Sequence, residues 1–251
     1  MSAAQVFVND VLQKRETSRT LPFKHPDRIH DMIHSAPNGR AGAKSAVIEG
    51  LARLQAVFPL EERIRNAEAT VRATYAEVLR HWLRGVPPAT ATFDQGTLTA
   101  LVKMDAVVAD THGIGCYPFS AYHTGIRVTL PGGTVNAMCA IDALAIARLA
   151  RARAHIDAAC LTCGTSIALH VEENGGLDHD QVELAQVVWQ YVDDTHTSAS
   201  HGLCRRILFL CRNCPAPQTG ELFTLPQAAA IGNAFFRFQS TLLAAHAGPE
   251  A

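Results

Sequence analysis

The hydrophobic residues of this chain change their spacing near the middle of the sequence, and this change limits the folds open to it. In residues 41–85, segments such as AVIEGLARLQAV carry apolar residues at helical spacing, and the tract ends in basic residues and a glycine. Residues 124–130, TGIRVTL, alternate apolar and polar side chains instead, PGGT then turns the chain, and VNAM resumes the strand. Helices followed by short strands favour an α+β fold, with a helical N-terminal part and then a small mixed or antiparallel sheet with packed helices.

A stretch rich in proline and threonine, VPPATATFDQG, separates the two parts and is typical of a linker or turn. We therefore predict a helical region over residues 1–86 and an α+β domain over residues 87–251. TLTALVKMDAVVAD is predicted as one further short helix, and HIDAACLTCGTSIALHV as two strands around a turn. VELAQVVWQYVDD is a strand candidate that a helix would also fit. The C-terminal segment is predicted as an amphipathic helix, with Thr224 at its N-cap and Pro226 in its first turn.

The composition limits the classes of function. Hydrophobic residues make up 48% of the chain and charged residues 18%, which is typical of a globular protein. The net charge of −1 gives no basic excess that would suit a nucleic acid or a membrane surface. No segment approaches the roughly 20 apolar residues of a membrane-spanning helix, and the N-terminus lacks the apolar core of a secretory signal. We therefore expect a cytoplasmic protein.

Seven cysteines stand out in a chain expected in the cytosol, where disulfides are rare. Cys139 lies where a predicted strand gives way to an alanine-rich helix, and Asp142 follows about one turn later on the same face. The positive end of the helix dipole and its unpaired amides favour a thiolate at Cys139. A neighbouring thiolate raises the pKa of a carboxyl group, which makes Asp142 a candidate proton carrier. The alternative is a buried structural cysteine beside a helix cap.

The sequence around this pair resembles the organomercurial (alkylmercury) lyase family. The resemblance begins in VKMDAVVADTHGIGCYPFSAYHTGIRVTLPGGTVNAMCAIDAL, with a helix, a G-x-x-Y-P-F-S-like segment, a hairpin and a closing C-A-[IL]-D-[AT]-L motif. It continues in order through AACLTCGTSIALHV, HGLCRRILFL and LPQAAAIGNAFFRFQSTLL, and so covers roughly residues 100–244. The segment before residue 100 has no match at the level of motifs.

This resemblance implies an enzyme that cleaves a carbon–mercury bond by protonolysis. Cys139 would be the first thiolate that binds mercury, Cys204 the second, and Asp142 the acid that protonates the leaving carbon. Thiolates suit mercury, which is a soft metal, better than oxygen or imidazole ligands do. The substrate would be a small organomercurial molecule, and no organic cofactor would be needed. The Hg(II) product would stay on the two sulfurs, with Asp142 as an optional further ligand, until small thiols remove it.

The residues beside the two thiols depart from the family pattern. Arg205 and Arg206 follow Cys204, where the family pattern has a histidine after the second thiol and an aromatic residue before it. Aromatic neighbours are also missing just before Cys139. The arginines could lower the pKa of Cys204, or they could bind an anionic ligand. Two alternative functions follow: a family member that catalyses a different thiol-dependent reaction, for example in specialised metabolism, and a non-enzymatic thiol protein that binds metal.

Four further cysteines form two CxxC pairs, Cys160 with Cys163 and Cys211 with Cys214. A glycine follows the first pair, as in a zinc knuckle, and four thiolates in two such pairs are typical of structural zinc. We therefore predict a structural zinc site. One alternative is that Cys160 is a buried cysteine of the family and the other three are incidental. Another is that Cys211 and Cys214 relay metal away from Cys204.

Several other polar or reactive side chains say less about function. These residues are His25, His30, His34, Cys116, Tyr117, His196 and His201. The three N-terminal histidines could bind a metal, but a solvated helix surface explains them more simply. Cys116 is expected to be a small buried hydrophobe, and Tyr117 could orient Asp142. The two histidines that precede Cys204 could line its pocket.

Overall fold

The computed structural model describes residues 40–190 and 198–246 of the chain, so the candidate residues His25, His30, His34 and His196 lie outside the described part. Four helices come first: α1 Arg40–Val57, α2 Leu60–Arg65, α3 Ala69–Leu83 and α4 Gln95–Lys103. Helix α4 begins after Asp94, whose carboxylate accepts a hydrogen bond from the backbone N–H of Thr97 (2.9 Å). The described part of the tract predicted as helical is helical, with short breaks between the first three helices.

Seven strands form an antiparallel sheet in the order β1-β2-β3-β5-β4-β6-β7. They are β1 Val107–Asp110, β2 Gly113–Cys116, β3 Phe119–Ser120, β4 Arg127–Leu130, β5 Gly133–Ala137, β6 Ala154–Ala159 and β7 Ser166–Val171. The alternation in TGIRVTL decides which face of β4 is buried: Val128 and Leu130 face the core, and Arg127 and Thr129 are exposed. Strand β4 therefore has the one-sided burial that its sequence pattern predicts.

A second sheet and two helices complete the described chain. The three strands β8 Ala185–Trp189, β9 Ile207–Cys211 and β10 Glu221–Thr224 form an antiparallel sheet with β8 in the middle. Helices α6 Leu225–Phe235 and α7 Arg237–Ala245 follow β10. A capping box begins α6: Thr224 and Gln227 exchange side-chain and backbone hydrogen bonds, and a proline lies in the first turn. This is the helix start that the sequence predicts, and the segment beyond it is two helices instead of one.

Helix α5, Ala140–Ala150, connects β5 to β6 in the chain and packs against the seven-stranded sheet, strand β9 and helix α6. Nine of its side chains are buried, which is typical of a helix enclosed on all sides. Helix α6 packs closely against it at Gly232, where an added Cβ atom would lie 2.6 Å from the carbonyl oxygen of Ile141. Close packing of α6 therefore supports the first turn of α5, which carries the candidate site.

The N-terminal helices share one hydrophobic core with the two sheets, within the described residues. Helix α1 packs on α6, and an added Cβ atom at Gly50 would lie 2.7 Å from Ile231. Trp82 of α3 stacks on Phe119 of β3, with ring centroids 5.7 Å apart, and its indole N–H donates to the carbonyl of Ile114 (3.0 Å). The described core is continuous across residue 86. The division of the chain into two regions at this residue stays a prediction.

The segment TLTALVKMDAVVAD is only half helical, contrary to the prediction of a single helix. Helix α4 ends at Lys103, and Asp105 then adopts a left-handed conformation with φ of 55° that cannot continue the helix. Val107 and Val108 follow as the start of β1, where β-branched residues are favoured.

The α+β fold class is confirmed. Among the described residues there is no helix with the length and apolar character needed to span a membrane.

Candidate active site

Cys139 lies at the N-cap of α5, in extended backbone conformation immediately after β5. Its Sγ accepts a hydrogen bond from the backbone N–H of Asp142 (3.4 Å), which is one of the unpaired amides of the first helical turn. A cysteine at this position takes the place of the more usual serine or aspartate cap. The strand-to-helix junction therefore holds the sulfur at the helix N-terminus, where the sequence analysis places it.

Asp142 and Cys204 complete a compact group with Cys139. The Sγ of Cys204 lies 3.9 Å from Oδ2 of Asp142, and one ligand atom from each of the three residues lies within 4.8 Å of the others. All three residues are buried: the exposed fraction of the surface is 2% for Cys139, 5% for Asp142 and 4% for Cys204. The structure thus brings together two sulfurs that are 65 positions apart in sequence and one carboxyl group.

The segment before Cys204 is held by buried polar contacts with two other parts of the chain. The carboxylate of Asp105 accepts hydrogen bonds from the backbone N–H of Ala199 (2.8 Å) and from the hydroxyl of Tyr117 (3.2 Å). The same hydroxyl accepts a hydrogen bond from the backbone N–H of Ser200 (2.8 Å). Cys204 then donates its own N–H to the carbonyl of Ala199 (2.8 Å) and begins a short 3₁₀ turn.

Tyr117 lines the same cavity as the candidate site, but its hydroxyl is engaged by Asp105 and Ser200. The hypothesis that it orients Asp142 is therefore replaced by a role in holding the segment that carries Cys204. Asp105 is the residue that sequence reasoning missed. It lies in a tract that was predicted as helix, and no spacing pattern in the sequence pairs it with Tyr117.

Burial decides the acid–base properties of the three groups. Removal from water raises the pKa of Asp142 to about 7, while hydrogen bonds with Cys139 and Cys204 act in the opposite direction. Burial also raises the pKa of Cys139, and this effect outweighs the amide bond at the helix N-terminus. The hydrogen bond with Cys139 and then burial raise the pKa of Cys204. In the protein without substrate, burial therefore favours the neutral thiol form of both cysteines. The carboxyl group of Asp142 gains and loses its proton near neutral pH.

Arg205 and Arg206 are not among the main influences on Cys204. The pKa of this thiol is raised by its contact with Cys139, by burial and by the nearby carboxyl groups of Asp142 and Asp105. Arg205 is exposed, and its side chain hydrogen-bonds the hydroxyl of Tyr122. His201 is exposed as well, and its Nδ1 lies 2.9 Å from the hydroxyl of Ser198. Neither His201 nor the arginine pair lines the described cavity.

The cavity beside the three groups is small and mostly apolar. Its free volume is about 10 Å³, which is close to the smallest space that holds one water molecule. The lining residues are Leu54, Phe58, Tyr117, Cys139, Ile141, Asp142, Leu203, Cys204, Ile207, Phe235 and Phe236. A low-dielectric wall of this kind is the physical cause of the raised pKa values.

The remaining cysteines lie elsewhere. Cys116 is fully buried at the end of β2, and burial raises its pKa, as expected of a small core residue. The other four, Cys160, Cys163, Cys211 and Cys214, form a separate group whose sulfurs lie within 4.8 Å of one another.

A known protein family matches the part of the chain that carries these three residues. A family model described as alkylmercury lyase matches residues 119–236, a stretch that includes Cys139, Asp142 and Cys204. Residues 119–236 belong to the alkylmercury lyase family. The crystal structure of the mercury-bound form of MerB2 is 22% identical, with a TM-score of 0.49, and the match covers 78% of this chain and 99% of that chain. Among curated proteins, no relative matches this chain.

The matched residues 119–236 include both CxxC pairs, but they do not supply every residue that lines the cavity. Leu54 and Phe58 line the cavity from the N-terminal helical part, which precedes the matched residues. The resemblance inferred from the sequence is confirmed over residues 119–236. The cavity is therefore completed by a segment that the family match does not cover.

Proposed function

We propose that this protein cleaves the carbon–mercury bond of small organomercurial compounds by protonolysis. The observation that carries the proposal is the convergence of Cys139, Cys204 and Asp142 in one buried, apolar cavity within 4.8 Å of each other. The family match over residues 119–236 supports the same chemistry. Two soft sulfur ligands and one proton donor are the groups that this reaction needs.

The first steps bind mercury to sulfur. The compound RHgX exchanges X for the sulfur of one cysteine, and the thiol proton leaves with X as HX. The second cysteine then adds its sulfur to mercury, which becomes three-coordinate. Its thiol proton passes to the carboxylate of Asp142, for which the 3.9 Å separation between Cys204 Sγ and Oδ2 is a suitable starting geometry. Electron density from two thiolates weakens the bond between mercury and carbon.

The last step transfers the proton from Asp142 to carbon. The electron pair of the carbon–mercury bond stays with carbon, which takes up the proton and leaves as the hydrocarbon RH, while mercury remains Hg(II) on the two thiolates. The sum is RHgX + 2 CysSH → RH + (CysS)₂Hg + HX, with no change of oxidation state. A carboxyl group with a pKa of about 7 suits a group that must both accept and return a proton at neutral pH.

Small thiols complete the cycle by taking Hg(II) from Cys139 and Cys204. Ligand exchange at a soft metal proceeds by attack of a further sulfur, so an excess of small thiol restores the two free cysteines. The apolar cavity wall keeps water away from the developing negative charge on carbon, which leaves Asp142 as the proton source.

The proposal is tested by supplying phenylmercury or methylmercury with excess small thiol and measuring benzene or methane by gas chromatography. We expect release by the wild-type protein, and a loss of at least about 100-fold in Cys139→Ser, Cys204→Ser and Asp142→Asn, because each lacks a ligand or the acid. Cys116→Ala is the matched control, since this buried cysteine lies outside the cavity. Absence of hydrocarbon with the wild-type protein, or release by Cys139→Ser at the wild-type rate, would contradict the proposal.

A further inference from the structure

We propose that one zinc ion is bound by four thiolates, those of Cys160, Cys163, Cys211 and Cys214. This site is separate from the candidate active site and does not depend on the proposed lyase activity. Its basis is the position of the four sulfur atoms, which the fold brings together from the turn between β6 and β7 and from the turn that follows β9 in the other sheet.

The distances between the sulfurs match those of a tetrahedral metal site. Cys160 Sγ lies 3.8 Å from Cys214 Sγ, and Cys163 Sγ lies 3.6 Å from Cys211 Sγ. Four sulfurs bound to one zinc ion at about 2.3 Å in tetrahedral geometry lie about 3.8 Å apart. A disulfide would instead require a sulfur–sulfur distance of about 2.05 Å. The four residues therefore have the spacing of ligands around one ion and not that of two disulfides.

The first pair is carried by the turn between β6 and β7, which has the form of a zinc knuckle. Cys160 follows β6, and Gly164 has a φ of 71°, a left-handed conformation that glycine adopts without strain. The backbone N–H of Gly164 donates to the carbonyl of Cys160 (3.0 Å) and closes this turn. A backbone N–H from the other pair, that of Cys211, donates to Cys160 Sγ (3.3 Å). Bonds from amides to sulfur stabilise a thiolate that binds a metal.

The second pair lies at the end of β9, directly beside the first. Cys211 is the last residue of β9, and the N–H of Cys214 donates to its carbonyl (3.2 Å), which turns the chain back toward the knuckle. The β6–β7 turn and strand β9 also share a backbone hydrogen bond, from the N–H of Leu161 to the carbonyl of Phe209 (2.9 Å). A metal ion at this point would link the seven-stranded sheet to the three-stranded sheet.

The chemistry of the ligands favours zinc as the occupant. Four thiolates in two CxxC pairs form the closed, tetrahedral coordination that structural zinc adopts, with no open position for a substrate. Direct transfer of Hg(II) from the candidate site is disfavoured by distance. Cys204 precedes β9 and Cys211 ends it, and the five residues of such a strand span roughly 13 Å. The two sulfur groups therefore lie too far apart to share one ion.

The decisive measurement uses the whole wild-type protein, purified without chelator from cells supplied with zinc(II), or reduced and reconstituted with zinc(II). We expect about one zinc per chain by elemental analysis. The zinc K-edge absorption spectrum should give four sulfur neighbours at about 2.3 Å. Both results come from the unmodified chain, so they do not depend on whether a cysteine variant folds. Zinc well below one per chain after reconstitution, or a shell with nitrogen or oxygen ligands, would overturn the proposal.

Variants then assign the ligands. Cys163→Ser, which changes the exposed member of the group, should retain less than half of the wild-type zinc. Cys139→Ser and Cys204→Ser are the matched controls, and each should keep one zinc per chain. If zinc is lost in these controls and kept in Cys163→Ser, the metal belongs to the candidate active site and the proposed site is wrong.

Discussion

At Asp142, the environment changes the chemistry of an ordinary carboxyl group. The side chain is enclosed by apolar residues and two thiols, and its pKa rises from 3.8 to about 7. Because this folded-state value lies above that of the unfolded chain, the folded protein keeps a proton between about pH 4 and pH 7 that the unfolded chain releases. The stability that this proton contributes is complete below about pH 4 and is lost as pH rises through about 7.

Asp142→Asn should therefore become more stable relative to the wild-type protein as pH increases. A shift of about 3 pKa units corresponds to roughly 4 kcal/mol in the free energy of unfolding between pH 4 and pH 8, as an order of magnitude. The measurement is urea unfolding of both proteins at pH 4 and pH 8. A difference between them that stays constant, or that favours the wild-type protein at pH 8, would contradict the raised pKa.

At the scale of elements, the segment from Ser198 to Leu203 has no regular structure of its own and depends on its neighbours. Asp105, between α4 and β1, and Tyr117, after β2, supply the acceptors for its backbone N–H groups. An N–H group that is buried without a partner costs about 1–3 kcal/mol. The segment that carries Cys204 is therefore held by two side chains, one just before β1 and one just after β2, at one edge of the seven-stranded sheet.

Removing one hydroxyl tests this dependence. Tyr117→Phe should lower the free energy of unfolding by about 1–3 kcal/mol, and should increase the rate at which iodoacetamide alkylates Cys204, measured by peptide mass spectrometry. Tyr75→Phe is the matched control, because it removes another buried hydroxyl, one that accepts a hydrogen bond from Gln239 (2.7 Å). If both variants change Cys204 alkylation equally, the effect is general loosening and Tyr117 has no special role.

At the scale of the whole molecule, the cavity is closed by parts of the chain that are far apart in sequence. The ring of Phe58, which follows α1, packs against two other rings. Its centroid lies 4.7 Å from that of Tyr117 and 6.0 Å from that of Phe235 in α6. Phe58 and Phe235 also border a surface depression of about 300 Å³ on the other side. A cavity of about 10 Å³ has no room for an organomercurial molecule. The rings of Phe58 and Phe235 line both the cavity and the depression, and so form a wall shared by the two spaces.

Phe58→Leu should open this wall. We expect faster alkylation of Cys139 and Cys204 by iodoacetamide than in the wild-type protein, together with a loss of about 1–2 kcal/mol of stability from the smaller side chain. Phe119→Leu is the control, because Phe119 is fully buried against Trp82 and does not line the cavity. Equal alkylation rates in the two variants would mean that access does not pass Phe58.

Local sequence alone determined much of the secondary structure, because local hydrogen bonds and alternation act over a few residues. The cap at Thr224, the helix that begins after Cys139 and the exposed face of β4 follow from such patterns. One exception is the segment that ends in Val107–Asp110, where helical spacing gave way to sheet pairing. Another is the C-terminal segment, which forms two helices instead of one.

Tertiary structure alone decided the rest. Cys204 approaches Asp142, and the four sulfurs of the CxxC pairs meet, only because strands distant in sequence pair and pack. The sequence places a helix dipole and its amides at Cys139, which favours a thiolate, yet burial raises its pKa. Desolvation depends on every segment that encloses a group, including Phe58, which lies between α1 and α2 and precedes the family match. No local pattern in the sequence contains that information.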